Sequence, residues 1–213
     1  MLCYRYSRAF ASVSLVVSKP MRIGIVSDIH GNIKALDMAL DRMDKVDEIW
    51  CPGDAINQYE FSNRVIARLQ EIGARYVLGN HEEVFLSDAG ARAREDESID
   101  AVLLSWMSSR PHFVDKTVNG LRILMFHSTP WEPYGEYLYP HTPDLNRVGD
   151  LDVDVAIYGH THTQLAKKIN GTLIVNPGSV GLTSDISSQR LLSYAVLDTA
   201  SRTVVFDQFE DVK

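Results

Sequence analysis

Met21-Arg22-Ile23-Gly24-Ile25-Val26-Ser27-Asp28-Ile29-His30-Gly31-Asn32 sets the reading of the whole chain. Its first half is a short β-branched run of the kind that forms a buried strand. Its second half turns abruptly polar, so a carboxylate and an imidazole are delivered just past the strand's carboxyl end. Beyond it, Ala35, Leu36, Ala39, Leu40 and Met43 recur at helical spacing. Residues 48–51 read as a second strand stopped by Pro52-Gly53. Phe61, Val65, Ile66, Leu69 and Ile72 form the stripe of a second helix that ends at Gly73, and residues 75–78 form a third strand. A β-α-β-α-β opening implies parallel strands covered by helices.

The second half changes character. Residues 82–109 read as mostly helical, broken by a polar stretch at 93–97. Asn119-Gly120 and Asn170-Gly171 are strong hairpin signals between apolar runs, at 113–118 with 121–127 and at 164–169 with 172–176. Residues 153–158 form a further apolar strand, and 193–198 with 203–209 a closing pair. A parallel half thus precedes a mostly antiparallel one. The expected class is α/β, with two mixed β-sheets packed as a sandwich between flanking helices.

Composition limits the function. Apolar residues make up 45% of the 213 and charged residues 23%, enough for a sizeable core. We expect one domain over residues 21–213. Residues 1–20 carry Arg5, Arg8 and Lys19 without an acid and have a short apolar patch at 9–17. Because that patch holds serines and no clear cleavage site follows, they read as a leader or an upstream start. The net charge of −7 and the lack of a basic stretch argue against a groove for duplex nucleic acid. No apolar run approaches the roughly 18 residues that cross a bilayer. The two cysteines, Cys3 and Cys51, are not expected to pair, which points to a reducing, cytoplasmic setting.

Five small clusters each fall where a strand gives way to a loop: Asp28-x-His30, Gly53-Asp54, Gly79-Asn80-His81-Glu82, His127, and Gly159-His160-Thr161-His162. Loops at the carboxyl ends of strands in open α/β sheets converge on one crevice. Carboxylate and amide oxygens with imidazole nitrogens suit divalent or trivalent transition metals, and the absence of cysteine argues against a thiolate zinc site. Two metals about 3.5–4 Å apart need a bridging anion, which Asp54 can supply. The neighbouring Gly53, Gly79 and Gly159 let the backbone come close. An isolated Asp-x-His arises by chance at roughly one position in four hundred, but five clusters in order, each at a strand end, do not.

With Ser27-Asp28-Ile29-His30-Gly31-Asn32, Gly53-Asp54, Gly79-Asn80-His81-Glu82, His127 and Gly159-His160-Thr161-His162, the chain resembles the calcineurin-like metallophosphoesterase superfamily. The short length and Asn176-Pro177-Gly178-Ser179-Val180-Gly181 are most similar to its small bacterial phosphodiesterase branch. The resemblance implies the metallo-dependent phosphatase fold. It also implies a two-metal site with Asp28, His30 and His162 on one ion, Asn80, His127 and His160 on the other, and Asp54 bridging. Mn²⁺ is the expected metal, with Fe, Zn²⁺, Ni²⁺ and Co²⁺ also suited. Asp54 and His81 are the expected catalytic residues, His81 donating a proton or hydrogen bond to the leaving oxygen after a metal-activated water attacks phosphorus in line.

The resemblance has two departures. Phe126 stands where the family often has glycine, and Ala55-Ile56-Asn57-Gln58-Tyr59 lacks the arginine of the protein Ser/Thr phosphatases. Asn32, Gly178 and Ser179 are candidate substrate contacts, the last two through backbone amides in a Gly-rich turn. That turn reads equally as a tight loop leaving a strand. Residues 129–143 hold Trp131, Tyr134, Tyr137, Tyr139 and His141 among four prolines and follow His127 directly. They read either as a loop packed on the domain or as aromatic faces beside the crevice. Ile99, Val102, Leu103, Trp106 and Met107 read as core or as contacts with a second copy. The expected substrate is a small phosphoester. The rival functions are a scaffold subunit on the same fold, whose relatives lack some ligands, and a nuclease.

Overall fold

The computed structural model describes residues 20–182 and 191–211; nearly all of the expected leader, including Cys3, lies outside them. Strands β1 (Arg22–Ile25), β2 (Glu48–Cys51) and β3 (Arg75–Tyr76) run parallel, with β1 pairing Ile23 to Glu48 and β2 pairing Trp50 to Arg75. The closing pair, β9 (Leu191–Asp198) and β10 (Thr203–Glu210), joins this same sheet, β9 antiparallel to β1 and β10 antiparallel to β9, giving the order β10-β9-β1-β2-β3. The second sheet has the order β4-β5-β6-β8-β7, from β4 (Val114–Val118), β5 (Leu121–Met125), β6 (Val155–Ile157), β7 (Leu165–Ile169) and β8 (Thr172–Asn176).

Both sheets are mixed, as expected, but parallel pairing also runs into the second half of the chain. In the second sheet β5, β6 and β8 are parallel, and only the two hairpin partners β4 and β7 run against them. The crossover from β5 to β6 carries a short helix, α5 (Asp144–Gly149), that the sequence reading missed. It buries only Leu145 and Val148 among its large apolar residues, too few to declare a period.

Period-two alternation builds the core. Ile23 and Ile25 of β1, Ile123 and Met125 of β5, Val155 and Ile157 of β6, and Ala195 and Leu197 of β9 face inward between the sheets, joined by Trp50 and Val175. The opposite face of the first sheet takes the helices. α1 (Ile33–Arg42) buries Ala35, Leu36 and Ala39, and α2 (Asn63–Glu71) buries Val65, Ile66 and Leu69. Their starts are capped by Asn32, which accepts from the Ala35 amide, and by Ser62, which accepts from that of Val65. α4 (Ala101–Ser108) buries Met107, lays Trp106 against Tyr76 with ring centroids 5.9 Å apart, and leaves Val102 exposed. Among the described residues no helix is long and apolar enough to cross a membrane.

At the end of the sandwich away from the motif loops, Glu48 links the sheets. It accepts from Arg75 on its own sheet (2.7 Å) and from Lys116 on β4 of the other (3.2 Å). The Arg75 hydrogen bond, helped by Trp50 and Lys116 and opposed by burial, pulls the Glu48 carboxyl down to about 2. The unfolded chain takes up that proton at higher pH, so this contribution is complete above the ordinary glutamate range and is lost as pH falls towards 2. With its partial exposure discounted, the network is worth about 1–2 kcal/mol. Urea midpoints measured from pH 6 down to pH 3 should fall for the wild type and fall less steeply for Glu48→Gln, which starts lower at pH 6.

Candidate metal centre

The parallel strands of both sheets discharge their loops at one end of the sandwich. Asp28 and His30 follow β1 and Asp54 follows β2. Asn80 and His81 open the helix α3 (Asn80–Leu86) just beyond β3, His127 follows β5, and His160 and His162 follow β6. The seven candidate ligands and His81 meet there. Hydrogen bonds stitch the loops across the seam. The amides of Ile29 and His30 donate to the Asp54 carbonyl (2.7 and 3.1 Å), and that of His160 to both Asp28 carboxylate oxygens (3.1 Å each). His127 Nδ1 donates to the Pro52 carbonyl (2.7 Å).

Two glycines are there because a side chain would not fit. A Cβ on Gly79 would collide with Asp54 Oδ1, and one on Gly159 with Ser27 Oγ. Phe126, in place of the family's usual glycine, leaves the strand undisturbed: it donates to the Ile157 carbonyl (3.0 Å) and stacks on Tyr158.

Asp28, His30, Asp54, His160 and His162 all have positive φ, between 47° and 68°. That region costs a side-chain-bearing residue about 1–2 kcal/mol, less for Asp and His. Five such residues at one place mark a site held in shape by its surroundings.

The donor atoms converge in overlapping groups. Asp28, His30 and His162 form one, Asp54, His127 and His160 a second, and His30, Asp54 and His81 a third, each within 4.8 Å. His30 Nε2 faces His162 Nε2 at 3.2 Å, and His162 Nε2 lies 3.3 Å from Asp28 Oδ1. His127 Nε2 faces Asn80 Oδ1 at 2.8 Å and Asp54 Oδ2 at 3.3 Å. With its Nδ1 hydrogen spent on Pro52, the neutral His127 ring points a lone pair at two oxygen acceptors. Either a proton or a cation must sit between them. His30 Nδ1 and His160 Nε2 are buried with no partner. Nitrogen and oxygen donors without thiolate, closely spaced lone pairs and orphaned ring nitrogens all fit a transition-metal pair.

Electrostatics agree with that fit. Burial is the main reason the His30 and His160 imidazoles drop to about 4, so both present lone pairs at neutral pH. Burial pushes the Asp28 and Asp54 carboxyls up, but the surrounding imidazoles override it, His162 at Asp28 and His127 at Asp54, and hold both below the usual carboxylate range. Burial also disfavours charge on His127, yet the Asp54 carboxylate, with Asp28 and the Pro52 carbonyl, raises it to about 9.

Glu82, to which no role had been assigned, proves to be the brace. Fully buried at the third position of α3, its carboxylate accepts from the amides of Gly79 (2.8 Å), Asp54 (2.9 Å) and Ile56 (3.1 Å). A glutamate three residues after a helix cap was the available signal. Burial and the Asp54 carboxylate push it up to about 7 against those amides.

The three candidate substrate contacts each make hydrogen bonds within the chain. Asn32 caps α1 and donates to Asp211 (3.3 Å). The Gly178 amide donates to Asn176 Oδ1, and Ser179 Oγ donates to the Asp28 carbonyl (2.8 Å). The Gly-rich turn thus props up the Asp28 loop, with the Val180 and Gly181 amides on the Ser27 and Asp28 carbonyls.

Fold and donor set together define a metal-dependent phosphoesterase. The family model for the calcineurin-like phosphoesterase superfamily domain matches residues 21–202, and the chain belongs to that family. It is similar to the phosphodiesterase YfcE of Escherichia coli K12, 23% identical over 195 residues that span 87% of this chain and 91% of that protein. An uncharacterized protein of Methanocaldococcus jannaschii, MJ0912, is 25% identical over 177 residues, 76% of this chain and 71% of the other. Among solved structures, a metallophosphoesterase from Sphaerobacter thermophilus superposes with a TM-score of 0.75 at 25% identity, covering 90% of each chain.

A cation at His127 Nε2 must displace the proton that Asp54 holds there. Mn²⁺ affinity should therefore rise with pH up to about 9, with about one proton released per chain from this histidine. Calorimetry in buffers of different ionisation enthalpy measures that release, and it should fall in His127→Asn.

Proposed function

We propose that the chain hydrolyses a phosphoester bond of a small substrate, using two cations held by Asp28, His30 and His162 on one side and by Asn80, His127 and His160 on the other. The observation that carries this reading is the place of Asp54, whose buried carboxylate belongs to donor groups on both sides at once. When bound, the ions would supply Lewis acidity towards the phosphoryl oxygens and a lowered pKa for water. Mn²⁺ is the first to test, and Fe, Zn²⁺, Ni²⁺ and Co²⁺ suit the same nitrogen and oxygen donors. The similarity to a protein named phosphodiesterase favours a diester among the substrates.

The protein's own groups divide the remaining work. Pro52 fixes the His127 ring, and Glu82 fixes the Asp54 loop through its amides. His81 hangs beside the pair, its amide on Asp54 Oδ1 (2.9 Å), its Nε2 3.8 Å from Asp54 Oδ2 and its ring edge-on to His30. Its side chain is partly open to the cleft. From there it would give a proton or hydrogen bond to the departing oxygen.

Purified protein with Mn²⁺ should hydrolyse bis(p-nitrophenyl) phosphate, and Asp54→Asn should fall to background. His81→Asn should retain two metals per chain by mass spectrometry while kcat drops about 10²–10⁴-fold. Loss of one metal in that variant would make His81 a ligand, and full activity in Asp54→Asn would refute the shared-carboxylate reading.

A further inference from the structure

Beside the donor residues, the chain lays down a row of rings. Tyr137 lies face to face on His160, centroids 4.0 Å apart and planes 26° apart. Tyr139 follows at 6.0 Å and 8° from Tyr137, and His141 at 6.0 Å and 8° from Tyr139. Alternation explains the row. Leu138, between the two tyrosines, turns inward and is 1% exposed in a cluster with Phe126, Leu145 and Tyr158. Its neighbours therefore point the other way, and Tyr137 stays 52% and Tyr139 36% exposed.

The backbone that carries them is tied down. Tyr158 donates its hydroxyl to the Leu138 carbonyl (2.7 Å), Ser128 to the Glu136 carbonyl, and Trp131 Nε1 to the Glu136 carboxylate (2.6 Å). A loop aromatic that served packing alone would be buried by such anchoring. These two sit on anchored backbone and are left open.

The rings wall a hollow of about 250 Å³. Asp54, Asn80, His160, Tyr137, Tyr139 and Leu182 are among the residues that line it. That size suits one small ligand rather than a polymer. None of the described residues lining it is Lys or Arg. A second phosphate group would find no lysine or arginine there, whereas a flat uncharged ring would find two aromatic faces.

We propose that Tyr137 and Tyr139 form a stacking platform for the base of a nucleoside phosphodiester whose phosphate sits at the donor residues. This rests on the phosphoesterase reading above and names its substrate class. A ring bonded directly to the phosphate oxygen reaches only Tyr137, next to His160. A ring carried one sugar further out reaches Tyr139. Because the backbone beneath the rings is already anchored, stacking needs little loop ordering, and each stacked base is worth about five- to a hundredfold in affinity.

Thymidine 5′-(p-nitrophenyl phosphate) and methyl p-nitrophenyl phosphate share a leaving group, so the ratio of their kcat/KM values isolates the nucleoside. The wild type should favour the thymidine ester about tenfold or more. Tyr139→Leu should collapse that ratio, and Tyr139→Phe, which keeps the ring, should preserve it. Calorimetric titration of thymidine 5′-monophosphate against methyl phosphate reads the same preference without turnover. Binding preference without hydrolysis would sink the phosphoesterase reading and leave the platform standing. A wild-type ratio near one in both measurements, or a ratio unmoved by Tyr139→Leu, overturns the platform. A phenyl phosphate preference equal to that for the nucleotide, lost in Tyr137→Leu but kept in Tyr139→Leu, overturns the nucleoside assignment.

Discussion

Two carboxylates shut away from water at the seam between the sheets are what the structure is organised around. Asp28 is 0% and Asp54 2% exposed. Charge in such a place is costly unless it is paired and hydrogen-bonded. The surrounding residues meet that cost. The His160 amide lies on Asp28 and the His81 amide on Asp54. His162 and His127 stand within 3.3 Å of them, and cations complete the neutralisation under the proposed function. Residues from both sheets take part, so the site cannot form before the sandwich closes. The hydrophobic core between the sheets, from Ile23 and Ile25 to Val155 and Ile157, is the means of bringing the polar rim together.

The same requirement explains the local chemistry of the loops. The β2 and β3 loops approach so closely that Gly79 has no room for a methyl group next to Asp54. Glu82 gathers three amides from those loops and sets the height of Asp54 relative to Asn80. Beneath Asp28, Ser179 and the Gly-rich turn do the equivalent work from β8. Removing either support would leave the donor residues in place but their spacing unsecured, and metal affinity depends on such outer contacts as strongly as tenfold to a hundredfold.

Much of this was legible in the chain. Strands β1, β5 and β8 announce themselves through short apolar runs, and the Asn-Gly turns at 119–120 and 170–171 mark both hairpins of the second sheet. The eight donor and acid positions stood out because each lies just past a strand, where topology alone makes loops converge. What could not be read was non-local. Nothing in β9 and β10 says that they pair with β1 rather than extend the second sheet, since pairing depends on shape and on register across more than 150 residues. The part played by Gly178 and Ser179 stayed open in the sequence because a Gly-rich turn looks the same whether its amides serve a phosphate or a neighbouring carbonyl. The aromatic loop was ambiguous until Leu138 showed which way its neighbours must face.

The left-handed backbone at the site also bears on redesign. Asp28, His30, Asp54, His160 and His162 sit in a conformation that β-branched and bulky side chains avoid. A library that randomised all seven donors would lose most of its members to misfolding at these five. Asn80, opening a helix, and His127, following a strand, carry ordinary backbone angles. Under the proposed function, retuning of cation selectivity, whether by evolution or by an engineer, would be channelled through those two positions.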